Sequence, residues 1–331
     1  ETLYPHQVVR FARPREDAYT YARVRGDFVK DSSGMIVGFD KQRLELHDPA
    51  SNYQLLRNAG LKTDSVLGIK PRGTDQVFAL ESLLEQNVRV LFLSGKAASG
   101  KTFLAYAAAV QQILRIPISS GSGKRQQIHH GGTRQVPLER AAYRSAIVSK
   151  PIVPIGGNNL GALPGNLYEK CAPDLKPYEQ AHGNTVLGRH LSFGQMFCHP
   201  LIETAFGDPL PQIGDIDGYG YLPNSRPPLE LVPLCFIRGI SPEHTIILLD
   251  EGQNATPYML KVLLQRCGVG TKLIIIGDPP QTDTPARLRK INGFTYALQN
   301  LLGLPFVALV SLTGHHRNEA SAAATNMKVY S

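Results

Sequence analysis

Gly95-Lys96-Ala97-Ala98-Ser99-Gly100-Lys101-Thr102 is the stretch from which the rest of the 331-residue chain is read. Its glycines let the backbone curl until successive N–H groups face one point. Upstream, Val88–Leu93 is a short run rich in branched apolar residues and reads as a buried strand. Downstream, Lys101–Leu114 is rich in Ala and Leu at helical spacing. Strand, glycine turn and helix in that order aim backbone amides and the positive end of a helix at an anion. The eight residues fit G-x-x-x-x-G-K-[ST] at every fixed position, which predicts a cradle for the phosphates of ATP. Lys101 is then expected on the β- and γ-phosphates and the Thr102 hydroxyl on Mg²⁺. An incidental glycine–serine turn could match the letters alone; the flanking strand and helix argue against it.

Working outward, Ala146–Val148, Thr245–Leu249 and Lys272–Ile276 have the same buried-strand character, with Phe306–Leu309 a weaker fifth run. Thr74–Gln86 and Pro257–Cys267 have helical period. Strands alternating with helices predict an α/β fold of the P-loop NTPase kind over 68–331, its mostly parallel sheet flanked by helices. Residues 1–67 read as a small β-rich amino-terminal module, since Tyr19–Arg25 and Met35–Phe39 alternate between Gly and Asp turn signals. Two stretches, 118–135 and 183–228, are dense in Gly with Ser and His or with Pro, and read as inserts.

Thr245–Leu249 runs straight into Asp250-Glu251. A carboxylate ending a buried strand beside the phosphate loop suits the Mg²⁺ shell, so Asp250 is the expected metal ligand. Glu251 projects differently and can orient or deprotonate an attacking water. Asp250 could instead cap the next helix, but Thr256 before Pro257 is the better cap. After Lys272–Ile276 comes Gly277-Asp278-Pro-Pro-Gln281, whose amide at a strand's carboxyl edge could sense the γ-phosphate. Gln76, on the helix feeding the first strand, could read the adenine edge or simply be solvated.

The charged fraction of 19% and apolar fraction of 42% describe a folded chain with ample core. No apolar run reaches 18 residues, so no membrane span is expected. No signal-like segment opens the sequence, although residue 1 is Glu rather than Met. Cys171, Cys198, Cys235 and Cys267 form no CxxC unit, which points to reduced thiols in a cytoplasmic protein. The net charge of +8 favours a polyanionic partner but suits a phosphate-binding enzyme equally. The pairs His129-His130 and His315-His316 read as solvated surface rather than metal ligands.

These motifs in order, with Gly68-Ile-Lys-Pro-Arg72, Pro151-Ile-Val-Pro154, Leu163-Pro-Gly165 and Ile237-Arg-Gly239, resemble PhoH-like ATPases. That family is similar to the first motor domain of superfamily-one helicases, and the likeness runs from about Gly68 to Ala324. The resemblance implies Gln76 for adenine, Lys101 and Thr102 for phosphate and metal, Asp250 and Glu251 for metal and water, and Gln281 for γ-phosphate sensing. It also implies Arg317, in Leu312-Thr-Gly-His-His-Arg317, as an arginine finger; such a finger could serve its own chain's ATP, and is expected to reach a neighbouring subunit in a homo-oligomer, such as a hexameric ring. It further implies work on single-stranded nucleic acid, with RNA favoured. Some members carry a nuclease domain, but 1–67 shows no acidic cluster of nuclease spacing. Lys150, Ile240 and Gly252 depart from the family pattern at positions usually held by Arg, Arg and Ala. A P-loop phosphotransferase and a nucleotide-gated scaffold stay open as alternatives.

Overall fold

The structure is a computed structural model that describes residues 4–12, 19–47, 64–113, 143–151, 167–189, 192–197, 229–280 and 292–314. The chain opens with three antiparallel strands, β1 (Val8–Ala12), β2 (Tyr19–Lys30) and β3 (Ile36–His47), paired in that order. They realise the β-rich module expected from the alternating pattern. A buried ion pair fastens this module to the larger sheet domain. The Arg23 guanidinium is buried and donates to Glu81 and, at 3.2 Å, to the Ser82 hydroxyl, while Arg25 donates to Glu81 at 2.6 Å.

From Thr74 onward, helices alternate with strands around one sheet. The helices are α1 (Thr74–Leu84), α2 (Lys101–Ile113), α3 (Leu167–Gly183), α4 (Phe193–Phe197), α5 (Pro257–Arg266) and α6 (Gly293–Leu301). The strands are β4 (Val90–Gly95), β5 (Ser145–Ser149), β6 (Leu229–Leu231), β7 (Thr245–Leu249), β8 (Lys272–Gly277) and β9 (Val307–Leu312). Their order is β6–β5–β7–β8–β4–β9, and every pair is parallel.

Strand periodicity divides the core between the two faces. Leu91, Leu93, Ile246, Leu248, Ile274 and Ile276 pack with α1, α2 and α3 on one side. Val90, Phe92, Ile247, Leu249, Leu273 and Ile275 pack with α5 and α6 on the other. A sheet covered on both faces needs apolar residues at every position, which is why its strands read as unbroken runs. Among the described residues no helix is long and apolar enough to cross a membrane.

One local expectation needs correcting. β8 lies between β4 and β7, so Asp250 ends a strand one removed from the phosphate loop rather than beside it. Within the stretch from 183 read as an insert, Thr185, Leu187, Phe193 and Met196 are buried. α3 carries Pro173 and Pro177, which argue against a helix, yet Leu175, Tyr178 and Ala181 form a buried stripe along it. Residues 118–135 and 198–228 lie outside the described residues.

Candidate functional site

Because all six strands are parallel, their carboxyl ends share one edge of the sheet, where ligands of such folds bind. β4 delivers Gly95 to that edge, and the loop to α2 is held from three sides. A side chain at Gly95 would collide with the Leu312 carbonyl at the end of β9, and one at Gly100, where φ is +91°, would strike the Gln76 amide. Ala98 takes a positive φ of 69° without glycine's freedom, a strained geometry of the kind that concentrates at binding sites. Lys101 Nζ donates to the Gly95 and Lys96 carbonyls at 2.5 and 2.9 Å, so the ammonium lies inside the curl of its own loop.

β7 brings Asp250 to the same edge. The Thr102 hydroxyl donates to Asp250 Oδ2 at 3.5 Å, across the width of β8. Glu251 follows in a left-handed conformation, φ 51° and ψ 40°, which turns its side chain away from that of Asp250. Thr256 caps α5 by accepting from the Met259 amide at 3.2 Å, which relieves Asp250 of any capping duty.

The electrostatics are those of a crowded anionic site around one lysine. Burial pushes the Asp250 carboxyl up and Glu251 adds to the rise, opposed by Lys150. Burial also raises Asp278, opposed by Lys101. The Lys101 ammonium is pushed down by burial, while Asp278, Asp250 and Glu251 hold it up. Three carboxylates gathered around the Lys101 ammonium, with Lys150 and Lys96 beyond it, are relieved by a cation. Among the described residues, buried Ser99 Oγ, Ser149 Oγ and Asp278 Oδ2 find no hydrogen-bond partner, and all three lie on or beside this edge. A hydrated Mg²⁺–phosphate group would satisfy such orphans, so the residues present fit ATP with a divalent cation.

Sequence reasoning missed several residues here. Gln253 donates to Glu251 Oε2 at 2.6 Å and accepts from the Asp278 amide at 3.1 Å, joining the ends of β7 and β8. Asp75 accepts from the Thr313 and Gly314 amides at 2.8 and 3.2 Å. Tyr178 of α3 sets its phenol beside Asp250, whose charge it favours. Gln253 stands two residues after Glu251, in the turn that follows the acidic pair, and could have been found there; Asp75 and Tyr178 carry no sequence signal. Gln76 accepts from the Arg72 amide at 2.7 Å and donates to the Ser99 carbonyl at 2.9 Å, so it braces the phosphate loop. Gln281 and Arg317 lie outside the described residues, as does the pair His129-His130 and the pair His315-His316.

Comparison with known proteins places the chain in a family. Residues 119–330 match the family described as PhoH-like protein, a match that begins after the phosphate loop. The chain is 28% identical over 277 residues to Protein PhoH2 of Bacillus subtilis, covering 82% of this chain and 50% of that one. It is 27% identical over 292 residues to Protein PhoH2 of Mycolicibacterium smegmatis, covering 88% and 54%. With a PhoH-like protein of Synechocystis it shares 30% identity over 196 residues, 59% and 43% of the two. The chain thus spans about half the length of the curated relatives it matches. Since the family match covers more than half of its residues, the chain belongs to the PhoH-like protein family.

Proposed function

We propose that this P-loop ATPase-like chain binds ATP with Mg²⁺ on Gly95–Thr102 and hydrolyses it, coupling turnover to single-stranded nucleic acid, RNA favoured. The observation that carries the reading is the meeting of Lys101, Thr102, Asp250 and Glu251 at one sheet edge, from two strands that are not neighbours. Mg²⁺, held by Thr102 and Asp250, would neutralise charge on the phosphate oxygens. Lys101 has donors to exchange from its own loop carbonyls to the β- and γ-phosphates. Glu251, whose left-handed backbone sets it out of line with Asp250, would hold the attacking water and take its proton. Gln76 can still offer its remaining amide hydrogen and lone pair to adenine. Gln281 and Arg317 enter as γ-phosphate sensor and arginine finger on the resemblance alone, and the polyanion on the resemblance plus the net charge of +8.

Steady-state phosphate release with and without single-stranded RNA tests the proposal. Lys101→Ala should abolish most nucleotide binding. Glu251→Gln should keep ATP bound while hydrolysis falls, because the metal shell survives and the water-orienting carboxylate does not. A Glu251→Gln protein turning over at the parent rate removes Glu251 from the chemistry. Loss of ATP without phosphate release, in the presence of another acceptor, would favour a phosphotransferase.

A further inference from the structure

Outside the nucleotide site, one surface of the ATPase domain pairs exposed aromatic side chains with cations. Two short elements build it. Residues Leu234–Gly239 form a 3-10 helix directly after β6, and the Leu234 amide is anchored to the Lys150 carbonyl at 3.3 Å. The first turn of α5 follows the Asp250–Asn254 segment. Both therefore stand at the carboxyl edge of the sheet, the edge that holds the phosphate loop.

Leu234 and Ile237 face inward and anchor the turn, whereas Phe236 is 55% exposed. On α5, Tyr258 is 61% exposed. The Arg238 guanidinium lies over the Tyr258 ring, 5.2 Å from its centroid, a cation–π contact that joins the two elements. Between the two elements runs a cleft of about 150 Å³ lined by Cys235, Arg238, Met259 and Val262 with Leu234, Ile237 and Leu263 behind them. No carboxylate is among these lining residues, and Lys261, one turn beyond Tyr258, is exposed.

Exposed aromatic rings normally cost solvation, and a surface that keeps Phe236 and Tyr258 exposed on the two elements that Arg238 joins is shaped for flat, electron-rich groups. Nucleobases are such groups, and the phosphates between them are drawn to Arg238 and Lys261. We infer that Phe236, Arg238 and Tyr258 form a stacking platform for the bases of a single-stranded nucleic acid. This rests on the nucleic-acid half of the proposed function. The platform also touches the chemistry. Tyr258 is seven residues from Glu251 along a turn that includes Gln253, so a base seated on Tyr258 bears on the segment that places the carboxylate.

The test is fluorescence anisotropy of an end-labelled oligouridylate with the full chain at low salt. Phe236→Ala and Tyr258→Ala should each weaken binding by about tenfold or more. Phe236→Trp should retain affinity and Phe236→Leu should not, a split that stacking produces and simple burial does not. Thermal melts shared with the parent establish that the variants fold. If the parent binds and every variant binds equally well, the platform is wrong while the nucleic-acid reading survives. If the parent binds no oligouridylate even at low salt, both fall together. If Tyr258→Ala changes the sedimentation coefficient while leaving RNA affinity alone, the surface joins subunits and the inference is overturned.

Discussion

Gln253 is held at both ends, by the Glu251 carboxylate on which the proposed chemistry depends and by the amide of Asp278. Its amide therefore fixes how Glu251 points without touching nucleotide. Truncation to Gln253→Ala leaves nucleotide binding to the loop but frees the carboxylate, and positioning losses of this kind cost roughly 10²-fold. The expected outcome is a fall in kcat of about that size with nucleotide affinity nearly unchanged, read from steady-state turnover beside a binding titration. Gln253→Glu should be worse, since a second carboxylate would sit against Glu251. Equal losses in affinity and turnover would show that Gln253 supports the loop instead.

At the scale of elements, the three-stranded module is docked by charges that were taken out of water to do it. Glu81 on α1 answers two guanidiniums, of which Arg23 is fully enclosed and pushed down by burial. Glu81→Ala strands that cation, and breaking a buried pair from one side costs about 3–5 kcal/mol. Chemical denaturation should show a loss of that order, and Arg23→Met combined with Glu81→Met should recover much of it. His6 gives the same joint a pH dependence. Its ring packs against Phe28 and Phe39, Nε2 meets the Pro305 carbonyl at 3.1 Å, and burial aided by Arg23 lowers its pKa from 6.5 to about 4. The unfolded ring takes up its proton near pH 6.5 while the docked ring resists until about pH 4. The contribution of His6 is therefore complete above pH 6.5 and is lost as the pH falls toward 4, a change of about 3 kcal/mol. His6→Phe should flatten the stability profile across that window; an unchanged profile would place the acid sensitivity elsewhere. Strands β4, β5, β7 and β8 were legible because a doubly covered parallel sheet demands continuous branched residues. β6 was not, being only Leu-Glu-Leu, and α3 hid behind its prolines. α6 could have been found from its Asn292 cap, which accepts from the Thr295 amide at 2.8 Å.

The whole molecule sets the question of assembly. Loop and acidic pair were readable because their chemistry dictates residue types at fixed spacing, whereas Asp75 and Tyr178 act through contacts that only the folded chain creates. For Arg317 the proposed place is a neighbour's nucleotide site. Mixing inactive Lys101→Ala chains with inactive Arg317→Ala chains should restore phosphate release, because some interfaces would pair an intact loop with an intact finger. A mixture that stays inactive puts the finger in its own chain, and a fully active Arg317→Ala protein removes the role. Salt offers a separate measure: RNA affinity should fall with a log–log slope of about −0.7 for each phosphate contacted.

Asp75 and Gln76 are consecutive, and their side chains grip different parts of the molecule, Asp75 the exit of β9 and Gln76 the Ser99 carbonyl. α1 is thereby a two-point mount. The chain leaving Gly314 starts from a post that is surveyed against the phosphate loop through adjacent residues rather than through a deformable core. Anything that shifts Ser99 tugs the same post, so the loop and the root of the carboxyl-terminal segment share one datum. Asp75→Asn, which keeps the size but weakens the grip on two amides, should therefore loosen Thr313 and Gly314, read as faster amide exchange there, without emptying the cradle.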